Sequence, residues 1–237
     1  MTLLFMLFAV LLAFVGCGDT IADTTPADTT PADTPPDSAH QSKEFVVSGE
    51  KHTYKNKDVL LLNVKNQTDK DYDVTAVVHY FDAEGNEVKS QKQTFAGWAS
   101  GYQNYFLFQP DITFDTFAYT LELEEFKGEE CYTKDVTATF EGLREDFARP
   151  VKYPLIYADF RVENRSGKAL FIAGKRIVFD KYGNIYYMNE FSESLVSGYE
   201  NFNRLKVYSD ETAEELIWPD ELTGDVSGVY IITRVWQ

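Results

Sequence analysis

Alternating apolar and polar positions dominate the chain from about residue 58 onward, and they recur at two places in the same form. Leu60, Leu62 and Val64 alternate with Leu61, Asn63 and Lys65, and Ala158, Phe160 and Val162 alternate with Asp159, Arg161 and Glu163. A period of two places successive side chains on opposite faces of a pleated strand, so each segment predicts a strand with one buried face and one charged face turned to solvent. Turn-forming residues follow directly, Asn66-Gln-Thr-Asp69 in the first segment and Asn164-Arg-Ser-Gly167 in the second. A second predicted strand comes next, residues 74–81 and 171–179. It closes on Asp82-Ala-Glu-Gly85-Asn86 and Asp180-Lys-Tyr-Gly183-Asn184. An aspartate that bonds the local backbone, with a glycine three residues on that tolerates positive φ, predicts a hairpin.

These matches form an internal repeat at an offset of about 98 residues. Leu62-Asn-Val-Lys-Asn66 aligns with Phe160-Arg-Val-Glu-Asn164, and Phe81-Asp-Ala-Glu-Gly85-Asn86 with Phe179-Asp-Lys-Tyr-Gly183-Asn184. Ser100-Gly101-Tyr102 then aligns with Ser197-Gly198-Tyr199, and Tyr105 with Phe202. The units end in further strand-like runs, Ala118 to Leu123 and Val229 to Trp236. Several short strands per unit, punctuated by turns, predict an all-β chain with two tandem antiparallel β-sandwich domains, residues 44–127 and 128–237. Helical periodicity is confined to Asp210 to Leu216, a candidate helical turn inside an insertion that only the second copy carries. The charged junction from Glu124 to Glu130 leaves open whether the two domains are docked.

The strand followed by Asn-x-Thr/Ser, and then by Phe-Asp-x-x-Gly-Asn, resembles immunoglobulin-like domains of Gram-positive lipoproteins, including the FxLYD type. The resemblance spans both repeats and implies extracellular display and binding, with no catalytic residues to carry over.

Ahead of the repeats, Leu3 to Val15 is an unbroken apolar run, shorter than the roughly 20 residues a membrane-spanning helix needs and matched to the apolar core of a signal peptide. No lysine or arginine precedes it, a departure from the usual leader. It ends in Ala13-Phe-Val-Gly-Cys17, which resembles the lipobox of bacterial lipoproteins. The resemblance implies a leader of residues 1–16, acylation of Cys17, and a lipid anchor on the extracytoplasmic face of the cell membrane. Residues 17–43 hold Asp23-Thr-Thr-Pro-Ala27, its near copy Asp28-Thr-Thr-Pro-Ala32, and the degraded Asp33-Thr-Pro-Pro-Asp37, with little to bury. Such a segment predicts a disordered tether, on the order of 80 Å long if extended at about 3.1 Å per residue.

Composition narrows the partners. The 38 acidic and 22 basic residues leave a formal charge of -16, which repels phosphate backbones and argues against nucleic acid. Fifteen Tyr and 18 Phe suit pleated, half-buried surfaces. The membrane, through the lipid, and an envelope protein or glycan are the expected partners, and no cofactor is expected.

Candidate chemistry is sparse. The three histidines, His40, His52 and His79, assemble neither a triad nor a zinc cluster, and the spacing of Asp82, Glu84 and Asn86 lacks the dense acidic loop of an EF-hand. The expectation is a protein without catalytic or metal-ligating residues. Positions shared by both copies are there for the fold, so Tyr102, Tyr105, Tyr199 and Phe202 read first as packing residues. Unshared features are the better candidates for ligand contact: Trp98, and Trp218 with Asp220 and Glu221 beside Glu214 and Glu215, since a Trp ring offers a large rigid surface to a sugar or peptide. The Tyr186-Tyr187 pair beside Tyr182 is a weaker candidate. Cys131, with no basic cluster or Cys-x-x-Cys motif around it, reads as a small, partly buried side chain. The reading is an extracytoplasmic, membrane-anchored, non-catalytic binding or interaction module. The alternatives are a carbohydrate or cell-wall binding protein, and an accessory subunit of an envelope transport or secretion complex.

Overall fold

The computed structural model of the chain describes residues 44–146, 155–198, 200–210 and 217–237. The leader, Cys17, the tether, Tyr199 and residues 211–216, including Glu214 and Glu215, lie outside the described residues. Within the described residues the period-two segments are strands. The first copy contributes β1 (Phe45–Tyr54), β2 (Lys57–Asn66), β3 (Tyr72–Phe81), β4 (Glu87–Trp98), β5 (Gln103–Phe108) and β6 (Thr116–Glu125). They form two three-stranded antiparallel sheets, ordered β1-β2-β5 and β4-β3-β6.

The second copy contributes β7 (Val136–Glu145), β8 (Leu155–Asn164), β9 (Leu170–Phe179), β10 (Ile185–Leu195), β11 (Glu200–Ser209) and β12 (Ser227–Trp236). Its sheets, β7-β8-β11 and β10-β9-β12, repeat the first pair strand for strand. The fold is therefore all-β, two tandem sandwiches of one topology. Helix among the described residues is limited to short 3-10 turns at Tyr132–Asp135 and Asp220–Leu222.

The inner faces obey the sequence pattern. Leu60, Leu62 and Val64 are fully buried against Val74, Ala76, Val78 and Tyr80, and Ala158, Phe160 and Val162 lie buried with Ile172 and Val178 in the second copy. At the end of each inner row stands a buried asparagine. The Nδ2 of Asn66 donates to the carbonyls of Lys70, Trp98 and Ala99, and its Oδ1 accepts from the backbone N–H and hydroxyl of Thr68. Asn164 does the same with Lys168, Leu195 and Ser166. One amide thus closes the β2–β3 turn and ties it to the end of β4, satisfying carbonyls that burial would otherwise leave unpaired. The hairpins are duplicated too: Asp82 Oδ1 accepts from the backbone N–H groups of Glu84 and Asn86, and Asp180 Oδ1 from those of Tyr182 and Asn184. Gly85 and Gly183 sit at φ 83° and 81°, as the turn requires.

The outer faces depart from expectation at one place. The face of β2 that holds Leu61 is not solvated: Val59 and Leu61 are 1% and 3% exposed. With Leu107 of β5 they pack against Ile177, Phe179, Ile185 and Ile231 on the outer face of β10-β9-β12, forming a second apolar core between the two sandwiches. Residues 38–237 accordingly make one compact unit. The copies differ where this seam requires it: Val59 and Leu61 correspond to Tyr157 and Asp159, and Ile177 to His79. The two remaining outer faces carry surface ion pairs, Arg144–Asp159 (3.2 Å) and Arg161–Glu141 (3.0 Å) on one, beside the exposed Phe202, and Lys92–Glu122 (2.7 Å) on the other.

Polar contacts finish the seam. Asn104 of β5 brackets the free edge of β12, donating to the Ile232 carbonyl (2.6 Å) and accepting from its N–H (3.4 Å). At the junction, the Cys131 thiol and the Thr133 hydroxyl both donate to the carbonyl of Gly97, and Thr133 Oγ1 accepts from Ala99 N–H. The charged junction is thereby stitched to the end of β4.

Replacing Asn66 with Ala is expected to cost about 3 kcal/mol, because several buried carbonyls lose their donor at once. Asn63→Ala, on the outer face of the same strand, should cost under about 0.5 kcal/mol; urea midpoints compare the two. Leu61→Asp, which puts a carboxylate into the seam, is expected to split a single thermal transition into two. A scan that stays single and shifts by less than about 2 °C would mean that the seam couples nothing.

Candidate functional site

Of the two tryptophan candidates, Trp98 is removed as a ligand contact. It is fully buried at the end of β4, stacked on Phe106 (5.2 Å between centroids, 27°), with Phe95 and Tyr102 at its edges and its indole N–H donating to the Tyr102 carbonyl (3.1 Å). Its counterpart in the second copy is Leu195, another core residue. A residue present in only one copy can serve packing, because the turn after β4 must also receive the Cys131–Thr133 strap.

The second candidate group does not converge. Trp218 is partly buried against the core, and its indole N–H donates to Glu145 at the end of β7. Asp220 begins the 3-10 turn but reaches the other way, to Lys181 (2.7 Å) and the Tyr182 hydroxyl (3.2 Å) at the β9–β10 hairpin. Lys181 holds the Asp220 carboxyl below the usual carboxylate range. Glu221 is exposed and accepts from Lys181 N–H through its backbone carbonyl (3.0 Å). The group thus clamps the insertion to the hairpin instead of presenting a ring and carboxylates to a shared ligand.

The shared aromatics divide by face. Tyr102 packs on Trp98 and the core, whereas Tyr105 lies on the outer face of β5, partly buried at the seam. Phe202 holds the equivalent register in the second copy, where no sandwich covers it, and it is 60% exposed. Tyr186 and Tyr187 pack partly buried against the core, and Tyr182 is exposed at the hairpin. Asp82 spends its carboxylate on its own turn, whose N–H groups hold its pKa down. Among the described residues no group of three His, Cys, Asp or Glu side chains gathers in a way that could hold a metal ion.

The concave surface lies at the seam, which position-by-position reading of the sequence did not single out. One cavity of about 370 Å³ is walled by β1, β2 and β5 of the first copy and by Phe179, the Gly183 turn and the start of β12 in the second. A neighbour of about 430 Å³ lies across Tyr105, lined by Gln91, Gln93, Gln109 and Lys175. In the second cavity the polar groups are committed: the Gln91 and Gln93 amides donate to the carbonyls of Gln109 and Leu107, and Lys175 donates to Gln109 Oε1. In the first, Asn63 Oδ1 accepts from Gln103 Nε2 (3.0 Å), which leaves its amide N–H groups with Ser48 and Ser227 on the rim. His52 spans the seam, its Nδ1 3.0 Å from the Gly183 carbonyl and its ring 4.9 Å from Phe179. The exposed Glu50 carboxylate stands 3.6 Å from His52 Nε2. The signal for this site was present in the alignment of the copies, since an apolar Leu61 stands where the second copy has Asp159.

The chain matches no protein-family model and no curated protein.

Cys131 is buried, and desolvation pushes its thiol above the ordinary cysteine range. In a Cys17→Ser chain, Ellman's reagent is expected to titrate no thiol in the native protein and one in denaturant. Rapid native labelling would show that the Gly97 strap opens.

Proposed function

We propose that this protein is a membrane-anchored, extracytoplasmic binding module: a Cys17-linked lipid, a Thr/Pro/Asp-rich tether, and a head made of two docked immunoglobulin-like sandwiches that recognises an envelope protein or glycan without catalysis. The observation that carries the reading is the seam. Two copies of one sandwich packed through an apolar core and bonded through Asn104 bring side chains from both copies onto one surface. Docking of this kind lowers the ordering cost of recognition relative to domains joined only by a flexible linker. The lipobox-like Ala13-Phe-Val-Gly-Cys17 and the repeated Asp-Thr-Thr-Pro-Ala support placement on a membrane. A lipid anchor of two or more acyl chains suffices for stable attachment. The formal charge of -16 supports a neutral or cationic partner and argues against nucleic acid.

Cys17→Ala is expected to move the protein from the membrane pellet to the soluble fraction, and the intact mass of the extracted wild type should equal residues 17–237 plus acyl groups. Unchanged membrane association of the variant, or an unmodified mass, would overturn the anchoring. Crosslinking on intact cells tests the partner: a fixed stoichiometric band with a transport or secretion complex would reassign the head as an accessory subunit.

A further inference from the structure

The cavity beside His52 has the construction of a small-ligand site, and its polar groups define what it takes. It sits between two docked sandwiches and, at about 370 Å³, falls within the roughly 300–1,000 Å³ of ordinary small-molecule pockets. Its floor is apolar, with Leu61, Phe179 and Val229, and its rim carries hydroxyl and amide groups from Ser48, Asn63 and Ser227. Tyr105 forms one wall. Burial raises the pKa of the Tyr105 hydroxyl, and the Glu50 charge adds to that effect.

Two observations separate this cavity from a packing defect. First, His52 Nε2 is shut off from solvent and makes no hydrogen bond with the described residues, while the Glu50 carboxylate beside it is 73% exposed. A buried imidazole nitrogen without a hydrogen-bond partner is an unsatisfied polar group at the cavity wall, which a ligand's hydroxyl can pair. Second, part of the lining differs between the copies, although Phe179 and Gly183 are repeat positions that both share. Where the first copy has His52, Leu61 and Tyr105, the second has Arg144, Asp159 and Phe202 at the same register, and Arg144 and Asp159 there form an ordinary surface ion pair of 3.2 Å.

The charge of the lining selects the ligand. Among the described residues that line it, Glu50 is the only formally charged side chain besides the titratable His52, and none is a lysine or arginine. The field of a chain with formal charge -16 points the same way. Aromatic and aliphatic walls accept the C–H face of a pyranose ring, while hydroxyl and amide groups on the rim match its hydroxyls.

We propose that this inter-domain cavity binds an amino sugar, with its ammonium group at Glu50, its hydroxyls at Asn63, Ser48 and Ser227, and its ring against Tyr105. The assignment rests on the binding-module reading of the head but is independent of the lipid anchor, so loss of the anchor and failure of the site are separately visible.

The test is saturation-transfer NMR and calorimetric titration of the detergent-solubilised full chain with D-glucosamine, D-glucose and D-glucuronate. Glucosamine is expected to bind most tightly, glucose at least fivefold more weakly, and glucuronate not at all. Glu50→Gln should weaken glucosamine about tenfold while leaving glucose within twofold, and Tyr105→Ala should abolish transfer to both. Glu50 is exposed, so its variant should unfold at the wild-type temperature, which keeps the result readable if Tyr105→Ala loosens the seam. Absence of transfer from all three sugars, equal binding of glucuronate and glucosamine, or glucosamine binding untouched by Glu50→Gln overturns the assignment.

Discussion

A β-strand that is apolar on both faces must be covered on both, and β2 is such a strand. The run from Val59 to Leu62 is buried without interruption. Its inner residues are covered by the first sandwich itself, but Val59 and Leu61 face outward, where the first copy offers only flanking side chains of their own sheet, Leu107, Tyr54 and Tyr105. Fully burying a side chain of this size is favourable by about 1.5–3 kcal/mol, so the outer face recruits the matching apolar face of β10-β9-β12. The docking of the copies, the placement of the inter-domain cavities, and the position of His52 over the Gly183 turn follow from that demand.

Topology was legible to the degree that it was written twice. The pairs Leu60/Ala158, Asn66/Asn164 and Asp82/Asp180 hold equivalent places, and the structure gives each pair the same partners. Repetition therefore identified fold-bearing residues correctly, down to the two glycines that need positive φ. It also misled at Leu61, where alternation with Asn63 and Lys65 argued for a solvated face. A period of two reports that a strand has two faces. It does not report what lies beyond each face, because that depends on residues more than a hundred positions away.

The candidate site was legible only in outline. Tryptophan content drew attention to two positions that the structure places against the core, Trp98 fully buried and Trp218 partly so. Trp98 packs on Phe106 beside the backbone that the Cys131–Thr133 strap binds, and Trp218 bonds to Glu145 at the end of β7. The differences that shape a concave surface are quieter, a histidine for an arginine at position 52 and a leucine for an aspartate at position 61. Their meaning emerges only when both sandwiches are in place, since the cavity is walled by strands from each. Asn104 illustrates the same limit, because its sequence context gives no hint that it brackets a strand of the other domain.

The two remaining outer faces bear on how many such molecules behave together. A head-to-tail filament forms when one molecule carries a sticky face and its complement on opposite sides, so that association never closes. Here each copy holds one half of such a pair, and both halves are consumed inside a single chain. What remains at the ends is lined by ion pairs such as Arg161–Glu141 and Lys92–Glu122. The contact that joins the sandwiches within one molecule is already occupied, so this pair of apolar faces is not left to drive head-to-tail association.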